Sequence, residues 1–316
     1  MKNLVLFIFI LVTFFQVNTY AELTTPPENF KVAFIGDQSL SSNAKAVLRL
    51  IKDENTDMVL HQGDFDYYDD PDRWDKQINE ILGADFPYFA SIGNHDIRAW
   101  DGYQKKLQTR LEKIKGANCI GELGVKTSCM YKGLHFLLLG VGTKGKNYGP
   151  YISKNLEESP ALWKLCTWHK NQTKMQTGGK GNEVGWEAYE LCREGGAIIA
   201  TGHEHSYSRT KTLSAMETQT IDSSCVDNVA TADADVCVKK GSTFVFVSGI
   251  SGHSVRRQKR GGEHWAKIYT KDQKAKHGAL FIEFNVDGQV NKARGYFKNI
   301  EGEVIDQFDI MTQPTP

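Results

Sequence analysis

The sequence has no excess of charge of either sign: Lys and Arg total 38, and Asp and Glu total 38. That removes the broad basic face a nucleic-acid scaffold needs. After Phe15 no apolar run is long enough to span a bilayer. The tail Thr312-Gln313-Pro314-Thr315-Pro316 carries neither an anchor signal nor a retention signal. Six cysteines occur, but never as C-x2-C, so they do not read as a zinc site. There is no repeat, no low-complexity tract and no clear linker.

What is present starts with a leader. Met1-Lys2-Asn3 is short and basic, Leu4 to Phe15 is almost wholly apolar, and Thr19 and Ala21 are small residues at cleavage spacing. This reads as a signal peptide over 1–21, cut after Ala21, with no membrane span afterwards and export as the destination. Cysteines fit that compartment. Cys119 with Cys129 and Cys225 with Cys237 bracket short loops and read as local disulfides, each worth about 3 kcal/mol by loop closure. For Cys166 and Cys192 a bond and two free core thiols both stay open.

Hydrophobic periodicity sets the class. Val32 to Ile35, Met58 to Leu60 and Phe86 to Ile92 read as buried strands. Asn43 to Ile51, Trp74 to Leu82 and Tyr103 to Ile114 read as amphipathic helices. Strands alternating with helices predict parallel βαβ units. Leu134 to Leu139, Leu162 to Trp168 and Ala197 to Ala200 add strands, and Trp186 to Arg193 a helix. Gly145 to Pro160 and Lys174 to Gly185 read as loops, and Leu213 to Lys240 as a polar insertion able to carry a partner-binding role. Thr243 to Val247, Ala279 to Phe284, Val290 to Phe297 and Val304 to Ile310 read as strands. The last three are joined by turns without crossover helices, so they should be antiparallel. The expected fold is α/β (α+β): a four-layer αββα sandwich of two mixed sheets packed face to face, helices outside. It would fill 22–316 as one domain, with its core at about 30–210 and C-terminal strands at about 243–310.

Five short segments then carry donor residues: Gly36-Asp37, Gly63-Asp64-Phe65-Asp66-Tyr67, Gly93-Asn94-His95-Asp96, Trp168-His169 and Gly202-His203-Glu204-His205. Most follow a predicted strand, where open α/β sheets place ligands. A lone Asp after a strand is usually a turn or a cap. Five such segments in order would need five coincidences. Two acids, one Asn, three His and one Tyr are about what two metal ions need when one carboxylate bridges them.

These segments resemble those of the calcineurin-like metallophosphoesterase superfamily, and most closely its purple acid phosphatase branch. The resemblance covers about Phe34 to Arg209. It implies that Asp37, Tyr67 and His205 hold a first metal, that Asn94, His169 and His203 hold a second, and that Asp64 bridges them. It also implies that His95 is catalytic, facing the substrate with Asn94. A phenolate from Tyr67 suits Fe³⁺ in the first position, with Zn²⁺, Mn²⁺ or Fe²⁺ in the second. Two departures stand out. Ser39 replaces a usual Gly, and no further His follows His169 before His203. That loop offers Lys170, Lys174 and Lys180, any of which can meet a phosphate.

The implied function is secreted hydrolysis of phosphate monoesters by a metal-bound hydroxide, on a phosphorylated small molecule or a phosphoprotein. A phosphodiesterase or nucleotide pyrophosphatase would use the same metals. A non-catalytic secreted binding protein would have lost ligands, and none is missing. His61 reads as a core or supporting residue. His135, His264 and His277 read as structural or surface residues. His253 follows a Gly-rich segment that can reach the site, although a surface role is the simpler reading. Tyr207 and Arg209 read as buttresses of the last ligand segment. Asn171-Gln172-Thr173 is a glycosylation sequon beside a ligand, and its use stays open.

Overall fold

The computed structural model describes residues 24–226 and 236–312. The leader reading, over 1–21, lies outside them. The first half builds β1 (Phe30–Ile35), α1 (Ser42–Asp53), β2 (Met58–His61), α2 (Pro71–Ile81), β3 (Tyr88–Ala90) and α3 (Trp100–Leu111). Next come β4 (Asn118–Glu122), β5 (Lys126–Tyr131), β6 (Leu134–Leu139), α4 (Tyr148–Glu157), β7 (Trp163–Trp168), α5 (Glu187–Glu194) and β8 (Ala197–Thr201). The rest is β9 (Tyr207–Thr210), β10 (Leu213–Ala215), β11 (Thr220–Ile221), β12 (Val236–Val238), β13 (Val245–Ser248), β14 (Trp265–Tyr269), β15 (Gly278–Phe284), β16 (Lys292–Asn299) and β17 (Val304–Thr312).

Two mixed sheets result. The first has the order β12-β17-β16-β15-β1-β2-β3, the second β14-β9-β13-β8-β7-β6-β5-β4. Strand side chains alternate between faces, so each strand feeds two cores. Val32, Phe34, Met58 and Leu60 point inward and meet Phe136, Leu138, Leu165 and Ile198 of the other sheet. Ala33, Ile35 and Val59 point outward against Val47, Ile51, Trp74 and Tyr103 of α1, α2 and α3. Leu137, Cys166 and Ile199 do the same against Ile152, Leu156 and Tyr189 of α4 and α5. This is the expected four-layer αββα sandwich. As expected, β15, β16 and β17 pair antiparallel.

Three readings change. Gly145 to Pro160 is not all loop: Tyr148, Ile152 and Leu156 line the buried face of α4. Pro150 hides the helix in the sequence, but it stands at the third helical residue, where its missing N–H has no intrahelical partner to lose. The hairpin β4–β5 carries no apolar alternation on its exposed edge strand and so escaped a periodicity reading. The segment Leu213 to Lys240 contributes β12, which pairs parallel to β17 on the edge of the first sheet. All three cysteine pairs are bonded: Cys119–Cys129, Cys225–Cys237 and Cys166–Cys192. The last ties β7 to α5 and closes the alternative the sequence left open. No helix among the described residues is long and apolar enough to cross a membrane.

Candidate metal centre

In both sheets the donor segments leave the C-terminal ends of parallel strands. β1, β2 and β3 run parallel in register, so Asp37, Asp64 and Asn94 emerge on one edge. β7 and β8 are parallel in the facing sheet and deliver His169 and His203 to the same edge. The two edges meet closely because glycines allow it. A Cβ on Gly63, at φ 83°, would lie 2.9 Å from His169 Nδ1 of the facing sheet. A Cβ on Gly202 would lie 2.9 Å from the Gln62 carbonyl oxygen.

Donor atoms gather at two positions. At the first, the Tyr67 hydroxyl donates to Asp37 Oδ1 at 2.8 Å and lies 3.3 Å from His205 Nε2. His205 Nε2 is 3.1 Å from Asp37 Oδ1. At the second, His169 Nε2 lies 3.1 Å from Asp64 Oδ2 and 3.0 Å from His203 Nδ1. Ligand atoms of Asp64, His169 and His203 all fall within 4.8 Å of one another. Asn94 Oδ1 is buried without a hydrogen-bond partner.

The outer nitrogen of each histidine is already engaged. His169 Nδ1 donates to the Gln62 carbonyl at 2.6 Å, His203 Nε2 meets the Glu183 carboxylate, and His205 Nδ1 meets Ser254 Oγ at 2.5 Å. Such partners orient the rings so that the other nitrogen faces the centre. Three inward ring nitrogens and two carboxylates about 3 Å apart, with a buried amide oxygen that has no partner, are a donor set that fits metal ions.

Electrostatics agree. Burial opposes ionisation of Asp37 and Asp64, yet His205 and His169 beside them hold both carboxyls below the usual range. Burial lowers the His169 pKa, but Asp64 overcomes this and carries it to about 9. Burial, with His169 and Lys180 nearby, takes His203 down to about 3 and keeps it neutral. Burial and the charges of Asp37 and Asp64 push the Tyr67 phenol far up. A phenolate there therefore requires a strong cation beside it.

Backbone strain marks the same residues. Asp37, Asp64, Tyr67 and His203 have φ of 57°, 59°, 65° and 67°. Non-glycine residues seldom sit there, and such outliers cluster at functional sites.

The remaining candidates divide. His95 is exposed, with its ring 4.6 Å from that of Tyr67. His253 stacks on Tyr67 at 3.7 Å and lies 5.1 Å from the His205 ring, so the Gly-rich segment does bring it to the site. Lys170 pairs with Glu183 at 3.1 Å. Lys174 instead lines a separate cavity of about 490 Å³ with Arg260, His264 and Trp265. Lys180 places its ammonium 2.7 Å from His203 Nδ1. Glu183 and Ser254 were missed by sequence reasoning, because nothing local marks an acid or a serine as the partner of a distant histidine. Asn171 is fully buried and donates to the Gly202 carbonyl at 2.6 Å, which leaves no room for a glycan in the folded chain. His61 is a core residue against the Tyr88 hydroxyl, and burial takes its pKa down to about 3. Tyr207 and Arg209 share Asp306 in a buried cluster.

The family described as calcineurin-like phosphoesterase matches residues 30–207, more than half of the sequence. The chain belongs to that family. No curated protein sequence matches it. Among solved structures it resembles the purple acid phosphatase PPD1 from yellow lupin (Lupinus luteus) seeds, with TM-score 0.66 and 17% identity over 92% of this chain. It spans 55% of the lupin chain. It also resembles GAP50, the anchor in the inner membrane complex of Plasmodium, with TM-score 0.57 and 13% identity, covering 90% of this chain and 89% of that one. A third likeness is PhoD, with TM-score 0.53 and 12% identity, covering 89% and 69%. At these identities the likeness is one of fold.

Proposed function

We propose that this calcineurin-like phosphoesterase hydrolyses phosphate monoesters at a two-metal centre of the purple acid phosphatase kind. The observation that carries the reading is the convergence of seven donors from five strand ends, with the outer nitrogen of every histidine already held. Asp37, Tyr67 and His205 would hold the first metal, Asn94, His169 and His203 the second, and Asp64 both. Asp, Tyr and imidazole donors favour Fe³⁺ in the first position; imidazole and amide donors favour Zn²⁺, Mn²⁺ or Fe²⁺ in the second. Bound there, such ions would neutralise phosphoryl oxygens and lower the pKa of a water.

The rest falls to the chain itself. Asn94, whose Oδ1 is buried without a hydrogen-bond partner, would turn that oxygen to the second metal and its amide N–H groups to a phosphoryl oxygen. His95, exposed beside Tyr67, would be the group that delivers a proton to the departing alkoxide oxygen. Three disulfides support an exported protein. A phosphorylated small molecule or a phosphoprotein would be the substrate.

The test is a panel of p-nitrophenyl phosphate, its bis ester and an alkyl phosphate. Turnover of the monoesters well above the bis ester is expected, and the reverse order would make the protein a diesterase. His95→Asn should slow the alkyl phosphate by about 10²–10⁴. The loss should shrink for p-nitrophenyl phosphate, whose leaving group needs no proton. An equal loss on both would remove the proton-donor role.

A further inference from the structure

Lys180 is the one lysine of its loop that enters the centre. The loop is fixed on both sides of it. Gln176 Nε2 donates to the Lys180 carbonyl at 2.7 Å, and Glu183 N donates to the Asn171 carbonyl at 3.2 Å. The N–H groups of Lys259 and Arg260 both donate to the Thr177 carbonyl, at 2.8 and 3.0 Å. The Arg260 guanidinium donates to the Gly178 carbonyl. Gly178 itself packs on the Glu204 carboxylate so closely that no side chain fits.

From this platform the half-buried Lys180 ammonium donates to His203 Nδ1 at 2.7 Å. That nitrogen is the inward one, 3.0 Å from His169 Nε2. Its single lone pair can accept one hydrogen bond or make one metal bond. A metal at about 2.0–2.1 Å from this nitrogen leaves no place for an ammonium on the same lone pair. A metal ion at the second position must therefore displace Lys180. The two cations then stand side by side and repel, unless an anion lies between them. A phosphoryl oxygen on the open side of the centre is such an anion. Lys170 cannot take this part, since Glu183 holds it, and Lys174 lies on another cavity wall.

We infer that Lys180 couples the second metal to phosphate: it competes with the metal for His203 Nδ1 and becomes a phosphate ligand once both are bound. This rests on the metal-ligand reading of His169 and His203. The loop then selects against a metal-loaded site without substrate, and the coupling is reciprocal by linkage.

The test uses the full mature chain, stripped of metal and titrated with Zn²⁺ in equilibrium dialysis, with and without inorganic phosphate. In the wild type, phosphate should tighten one zinc-binding step by about tenfold or more. Lys180→Met should bind zinc about tenfold more tightly than wild type without phosphate, and its phosphate effect should fall below about threefold. Lys180→Gln, which keeps a donor but no charge, should behave as Lys180→Met does. Two zinc ions per chain with the same phosphate effect in all three proteins would overturn the inference and leave the two-metal reading intact. A wild type that takes up no second zinc in either condition would overturn that reading, and the inference with it.

Discussion

The two proposed metal positions are built from different partners around similar histidines. The first joins a carboxylate, a phenol and His205, whose outer nitrogen meets only the neutral hydroxyl of Ser254. The second brings Asp64, His169 and His203 together, with Asn94 proposed beside them, and His203 is backed by the Glu183 carboxylate. The first therefore carries its negative charge directly on its ligands. The second carries part of it one bond further out, on Glu183, where Lys170 also shares it. A hard, highly charged ion matches the first arrangement; a borderline divalent ion, more easily gained and lost, matches the second. On this reading the two positions differ in how readily they exchange.

Asp64 should erase the difference altogether. Asp64→Asn keeps the left-handed backbone, which Asn tolerates, but removes the charge proposed to span both positions. Activity should fall by about 10³ or more, and elemental analysis should find both metals depleted. Two metals retained with normal turnover would sink the two-metal reading.

Tyr67→Phe attacks the first position alone. The iron-loaded, oxidised wild type should absorb visible light through charge transfer from the phenolate. The variant should lose that band and bind iron less tightly while the second position keeps its metal. A colourless wild type, or a coloured variant, would reduce Tyr67 to a wall residue.

Glu183→Gln attacks the second position from behind. Loss of a carboxylate that backs a ligand histidine typically costs 10–100-fold in metal affinity, so dialysis should show a loss of about that size confined to one zinc-binding step. Ser254→Ala makes the matching change at the first position. Its effect should be the smallest, below about tenfold, because a neutral hydroxyl adds little negative charge to the ring. Equal losses in the two variants would mean that the outer partners do not distinguish the positions.

Much of this was legible in the sequence, for physical reasons. Buried parallel strands leave long apolar runs, and a polar cluster directly after such a run has few structural uses. Gly63-Asp64 and Gly202-His203 therefore stood out, and β1 could be read as a buried strand from the unbroken apolar run Val32 to Ile35. The helix α4 was hidden because Gly149 and Pro150 near its start look like a break, although Tyr148, Ile152 and Leu156 keep helical spacing. The hairpin β4–β5 lies at the edge of its sheet and is crossed by Cys119–Cys129, so burial did not pattern it. Three lysines in one loop looked alike as sequence. Only the path of the chain over Thr177, Gly178 and Glu204 selects Lys180. Left-handed backbone at Asp37 and His203 is similarly invisible, since neither residue type demands it.

The pairing of β1 with β15 has a consequence in time. β1 carries Asp37 at its end, and one of its two neighbours is made from residues 278–284. During synthesis the chain emerges from its N-terminus at about 5–20 residues per second. For most of that interval β1 has an open edge and can pair only with β2. On this pairing Asp37 should reach its final place only after some 280 residues have been made. The centre should thus be among the last features to form, although its first donor is among the earliest residues made. A ribosome-bound chain stalled before β15 should fail to capture metal even with every proposed ligand already synthesised.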